Sequence, residues 1–295
     1  MTLRRDPDAS AEARLPERPS HPVPHSAIRP VDHNPKAPSL QVDGLSVRFN
    51  GHEALRDVSF AMEAGGRVAV VGPNGAGKTT LFKVIAGILR PAAGSVRIFG
   101  HGPGGDTCIA YVPQRSQMDA TFPVTAAEVV MMGRIREIGM LRWPRRSDWD
   151  VVMRALERVG LAASASRQIG ELSGGQQQRV FLAQALAQEA ELILLDEPFT
   201  GLDYPSLDSL FTVLDELRAA GVTEIISTHD LNLAADRFSQ VLLMNRRLIA
   251  YGPPAQVLTQ ANLVAAYGGH VHRLPEGQGM LIVTDTCCEG EEEPV

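Results

Sequence analysis

The sequence predicts an α/β fold: a largely parallel sheet flanked by helices, joined to an antiparallel β subdomain and interrupted by an inserted α-helical subdomain. Three observations predict it. Residues 68–71 and 192–195 are fully apolar four-residue runs, the pattern of strands buried on both faces of a parallel sheet. Residues 40–62 instead alternate, with Val42, Leu45, Val47 and Phe49 before Asn50-Gly51, then Val58, Phe60 and Met62 before Gly65-Gly66. That is the pattern of paired strands with one buried face. Between about 115 and 185 strand signals stop and helical periodicity takes over, as in residues 126–132 and 151–159.

The bulk properties bound the rest. A chain of 295 residues with 44% hydrophobic content can bury a substantial core. A net charge of −6 and a pI near 5.8 give no electrostatic reason to expect a nucleic-acid partner. No apolar run reaches membrane-spanning length, and Met1-Thr2-Leu3-Arg4-Arg5 has no apolar segment behind it, so the chain is expected to stay in the cytosol. The three cysteines, Cys108, Cys287 and Cys288, form no disulfide framework and fit a reducing compartment. Cys287-Cys288 with His270 and His272 reads either as a metal site or as a solvated end. Residues 1–38 hold eight of the 20 prolines and few large apolar side chains, the composition of a disordered leader. His21, His25 and His33 lie in it and could collect a metal or do nothing. The globular domain is expected over 39–272, with a polar, acidic tail of little fixed structure over 273–295.

The domain is organised around Gly72-Pro73-Asn74-Gly75-Ala76-Gly77-Lys78-Thr79-Thr80, which follows an apolar strand and opens a helix carrying Leu81, Val84, Ile85 and Leu89 to a stop at Arg90-Pro91. Glycines let successive backbone N–H groups and the helix N-terminus converge on an anion, and Lys78 adds a point charge. The pattern is the Walker A loop, so the anion is a nucleotide's phosphates, with the Thr79 hydroxyl available to Mg²⁺. The chain contains three lysines and 27 glycines, which leaves a chance match little room.

Further chemistry-bearing residues fall at strand ends. Gln114 follows the apolar strand at 109–112, at the edge where open α/β sheets put their ligands, and either offers its carbonyl to Mg²⁺ or its amide to water, or is a plain polar loop residue. Asp196 and Glu197 end the run at 192–195, and their side chains should diverge, as consecutive residues in an extended chain do. One can hold Mg²⁺ through water while the other polarises an attacking water. His229 ends a strand at 223–228 and reaches the same edge. Leu172-Ser173-Gly174-Gly175-Gln176 opens a helix that Ser173 can cap, and its two glycines offer a second anion site facing another molecule. Phe49 is either an adenine-stacking ring or a core phenylalanine. Residues 134–146 mix arginines with Ile135, Ile138, Met140, Leu141 and Trp143, as an interface or a solvated basic loop would. A helix reaching Leu217, strands at 241–244 and 248–250 and a small helix over about 254–267 complete the domain.

Taken together, Walker A at 72–79, Gln114, Leu172 to Gln176, Leu194-Leu195-Asp196-Glu197, Asp203 and His229 resemble, in order and spacing, the ATP-binding subunit of ABC transporters. The resemblance covers about residues 40–270 and implies a P-loop NTPase core. It implies that two copies dimerise head to tail around ATP, Ser173 to Gln176 of one completing the phosphate site of the other. It further implies that Phe49 stacks on adenine, Thr79 ligates Mg²⁺, Asp196 holds the Mg²⁺ water and Glu197 activates the attacking water. His229 would contact the γ-phosphate, Gln114 would link the site to the membrane subunit, and Asp203 would run along the dimer seam. Tyr111 to Arg115, Phe122 to Thr125, Val130 to Arg134 and Asn262 to Gly269 look like bacterial importers for manganese, zinc or iron, with a separate permease and an extracytoplasmic binding protein. That places the chain at the cytoplasmic face of the bacterial plasma membrane. A siderophore or cobalamin importer is the alternative. A DNA- or ribosome-directed relative fits less well, because Lys78 and Ser173 are only 95 positions apart and a single cassette is present. A GTPase would need an Asn-Lys-x-Asp motif, which is absent.

Overall fold

A computed structural model describes residues 38–103, 109–114, 123–139, 142–268, 271–273 and 281–283. Most of the proline-rich leader, Cys108, Arg115, Phe122, Met140, Leu141, His270 and the cysteine pair lie outside the described residues.

The alternating segment forms β1 (Leu40–Phe49) and β2 (His52–Met62), antiparallel across Asn50-Gly51, with β4 (Ala93–Ile98) on the other side of β1. The second sheet contains β3 (Arg67–Val71), β5 (Ile109–Val112), β6 (Leu192–Leu195), β7 (Thr223–Thr228), β8 (Gln240–Asn245) and β9 (Arg247–Gly252). Its order is β5-β6-β7-β3-β8-β9, parallel except for the edge strand β9.

Strand parity divides the core. Val68, Val70, Leu192, Leu194, Ile225 and Leu242 face the antiparallel sheet and α1 (Lys78–Ile85). Ala69, Val71, Ile193, Leu195, Ile226 and Leu243 face the other layer, with α5 (Gly174–Ala187), α6 (Tyr204–Ala219) and α7 (Leu231–Arg237). Successive residues point to opposite faces, so fully apolar runs are what this two-sided burial requires. Between β5 and β6 the described residues hold α2 (Ala126–Met132), α3 (Ile135–Ile138) and α4 (Arg146–Arg158) before α5, as the helical periodicity predicts. The capping box of Thr125 and Glu128 starts α2.

Four expectations need correction. Helix α1 ends at Ile85, not at Arg90-Pro91: Gly87 takes φ 73°, which stops the helix, and Leu89 packs on the core from the loop beyond it. The helix expected over 254–267 is two, α8 (Pro254–Val257) and α9 (Gln260–Tyr267), because the Thr259 hydroxyl caps a new start by accepting from the Asn262 N–H. A strand pair, β10 (Val271–Arg273) with β11 (Leu281–Val283), crosses the boundary drawn at 272, the apolar Leu281-Ile282-Val283 pairing where little structure was expected. Arg134 is not part of an exposed basic stretch. It is buried, with Nη1 donating to Ala187 O at 3.0 Å and to Glu189 at 3.2 Å, and Asp148 3.7 Å from its Nε. Beyond it, Ile135 and Trp143 are exposed.

Candidate active site

The parallel register carries the chemistry to one edge. Val71 pairs with Thr228, Val112 with Leu195 and Leu195 with Ile226, so Gly72, Gln114, Asp196 and His229 all leave the sheet at its carboxyl side. The glycines of the loop are there because backbone passes close by. A Cβ on Gly72 would lie 2.1 Å from Met244 O. One on Gly77, at φ 93°, would lie 2.6 Å from Ala54 O on β2, which brings the antiparallel sheet against the loop.

Lys78 is buried, its ammonium donating to Gly72 O at 2.7 Å and Pro73 O at 3.2 Å, with Glu197 Oε1 4.0 Å away. The Thr79 hydroxyl, on the first turn of α1, donates to Asp196 Oδ2 at 2.6 Å. Parity explains the pairing. Asp196 continues the Leu192, Leu194 side of β6, which is the side on which α1 packs. Tyr111, on the same face of β5, brings its hydroxyl 3.5 Å from the same carboxylate oxygen, and burial together with Asp196 raises its pKa beyond the usual phenol range.

Glu197 departs from the strand at φ 49°, a left-handed conformation that a glutamate adopts only when its surroundings hold it. Its carboxylate accepts from Gln114 Nε2 at 2.9 Å and lies 3.9 Å from His229 Nδ1. The two acids therefore diverge as expected, yet both face the loop: Asp196 toward Thr79, Glu197 toward Lys78, Gln114 and His229. A divalent cation fits this donor set, since a hydroxyl and a buried carboxylate beside a phosphate cradle are hard oxygen ligands.

Ser173 is exposed and caps α5. Its hydroxyl accepts from the Gln176 N–H at 3.3 Å, while the Gln176 side chain accepts from the Ser173 N–H at 2.9 Å. A Cβ on Gly175 would lie 2.9 Å from Ser206 Oγ and 3.4 Å from Leu202, so the Asp203 turn packs against the start of α5. Asp203 itself caps α6, accepting from the Ser206 N–H at 3.1 Å; the Ser206 side chain first and its backbone N–H second hold the carboxyl below the usual aspartate range. Phe49 is 46% exposed, which removes the core reading of its ring. Ser227 escaped the sequence reading. It sits within the strand rather than at its end, and only the β6–β7 register reveals that it neighbours Asp196.

A strand, a glycine loop and a helix N-terminus backed by paired acids define a P-loop nucleotide hydrolase. The family model for the ABC transporter matches residues 55–200. The manganese transport system ATP-binding protein MntB of Halalkalibacterium halodurans is 43% identical over 83% of this chain and 98% of its own length. The chelated iron transport system membrane protein YfeB of Yersinia pestis is 46% identical over 79% of this chain and 80% of its own. The zinc transport system ATP-binding protein TroB of Treponema pallidum is 43% identical over 79% and 88%. Among solved structures, an inward-facing ABC transporter described as of metal-chelate type matches with a TM-score of 0.70 at 31% identity, over 78% of this chain and 88% of that one. An ATP-binding cassette in its ADP conformation matches with a TM-score of 0.69 at 26% identity, over 79% and 99%.

The chain belongs to the ABC transporter family and is its ATPase component, binding nucleotide and hydrolysing ATP in a complex with a membrane permease. No helix of the described residues is long and apolar enough to cross a membrane.

Proposed function

We propose that this chain energises import of a metal ion, manganese, zinc or iron, through a separate permease at the cytoplasmic face of a bacterial plasma membrane. An extracytoplasmic binding protein would deliver the cargo. The names of relatives 43–46% identical to this chain support the cargo class. The observation that carries the chemistry is the convergence of Lys78, Thr79, Gln114, Asp196, Glu197 and His229 at one sheet edge.

In this reading the N–H groups of residues 72–80 and the Lys78 ammonium hold the phosphates, and Phe49 stacks on the adenine. Thr79 and, through water, Asp196 would hold Mg²⁺, whose charge would offset that of the phosphates. Glu197 takes the proton of the attacking water, oriented by Gln114, which donates to its carboxylate. His229 contacts the γ-phosphate. Because Gln114 opens the segment leading to the helical insert, its hold on Glu197 links that insert, and the permease beyond it, to the catalytic base. Ser173, which is exposed, and the half-buried Gly174, Gly175 and Gln176 form a corner suited to the triphosphate of a second copy in a head-to-tail dimer, with Asp203 along the seam.

The test is Glu197→Gln. ATP binding should persist while turnover falls about 10²- to 10⁴-fold, the usual worth of a positioned base. Unchanged hydrolysis would remove the catalytic assignment. For cargo, uptake of free radiolabelled manganese, zinc and iron against a chelated metal by the reconstituted complex distinguishes a metal-ion importer from a siderophore or cobalamin one.

A further inference from the structure

Asp196 and Glu197 are consecutive, yet their side chains serve different tasks in different directions, and one hydroxyl touches both residues. Ser227 lies in β7, fully buried, beside Asp196 because Leu195 pairs with Ile226. Its Oγ donates to Asp196 Oδ1 at 2.6 Å and accepts from the Glu197 N–H at 2.8 Å.

The direction of these bonds is fixed. A backbone N–H can only donate, so the serine lone pair receives it and the single hydroxyl proton is left for the carboxylate. Asp196 is anchored on each oxygen separately, Oδ1 by Ser227 and Oδ2 by Thr79. Its own N–H donates to Val112 O on the neighbouring strand at 2.9 Å. Glu197, at φ 49°, turns out of β6 at the point where its N–H meets Ser227. A residue in that conformation persists when its surroundings over-determine it.

We propose that Ser227 is a positioning residue that sets the metal-side acid Asp196 and the base Glu197 in register with one another through a single shared hydroxyl. The inference rests on the roles given above to those two acids. Ser227 is fully buried and acts through the two acids it bonds. Its loss therefore loosens the orientation of the Asp196 carboxylate and frees the Glu197 backbone, while the phosphate loop and the Lys78 contacts stay intact.

The experiment uses the full-length protein with Ser227→Ala and Ser227→Cys. Alanine leaves the site underfilled and cysteine overfills it, while neither makes a strong hydrogen bond, so an effect common to both variants is that of the bond and not of the packing. ATP binding measured without divalent cation should match the unaltered chain in both variants. The Mg²⁺ concentration for half-maximal turnover should rise and kcat should fall, by about 10- to 100-fold together, the scale for groups that orient a metal's ligands. Wild-type turnover and Mg²⁺ dependence in folded variants would overturn the proposal. So would a fall in cation-free ATP binding as large as the fall in kcat. Glu197→Gln measured alongside separates the two failures. If it hydrolyses ATP normally, the acid assignments are wrong. If it is inactive while the Ser227 variants are unimpaired, only the role of Ser227 is wrong.

Discussion

Phe49 illustrates what a single side chain can reveal. It ends β1 with its ring 46% exposed, so its removal opens no large cavity. Phe49→Ala should leave the melting temperature nearly unchanged but weaken ATP affinity by about 1–3 kcal/mol, the worth of a base-stacking ring. Equilibrium titration with a fluorescent ATP analogue measures it; unaltered affinity would exclude stacking. Lys78→Ala should weaken nucleotide binding in the same assay, since Lys78 is the buried cation of the loop. At this scale the sequence was informative wherever chemistry is local. Lys78, Asp196 and His229 each follow or precede a recognisable strand or glycine run. Ser227 and Tyr111 were illegible as site residues because their roles depend on strand neighbours that the chain brings together from far apart.

At the scale of elements, strands with uniform burial were readable and helix ends were not. The stop of α1 depends on one left-handed glycine, Gly87, and the break between α8 and α9 on the Thr259 cap, both weaker signals than the apolar periodicity that runs past them. The amino ends of β3 and β7 carry another feature that periodicity hides. Arg67 is buried between Glu224, to which its Nε donates, and Asp215, 2.8 Å from Nη1, with its guanidinium over the Phe211 ring. Glu224 is fully buried, and its Oε1 has no hydrogen-bond partner among the described residues. Burial pushes its carboxyl up to about 7, against the lowering effect of Arg67. The folded chain thus holds a proton between pH 4.5 and 7 that the unfolded chain releases near 4.5, so this group's stabilising contribution falls as pH rises through that window. Its slope is at most about 1.4 kcal/mol per pH unit. Denaturant unfolding of Glu224→Gln against the unaltered chain at pH 5, 6 and 7 should show the variant gaining relative stability as pH rises. A pH-independent difference would place the carboxyl's titration elsewhere.

For the whole molecule, the sheet order β5-β6-β7-β3-β8-β9 gathers residues from four separate strands at one edge, and the exposed Ser173 corner lies at the start of α5. The α/β class and the helical insert were legible from the change in periodicity, whereas the strand order was not, since buried parallel strands read alike. In the function proposed above, each nucleotide pocket is built from two copies. The direct measurement is ATP hydrolysis by mixed copies, one carrying Lys78→Ala and the other Ser173→Arg. Each variant alone pairs a damaged loop or a damaged corner at both sites and should be inactive. Mixed, one pocket regains an intact Lys78 from one copy and an intact Ser173 from the other, so activity should return. A mixture as inactive as its parts would mean that each chain closes its own pocket.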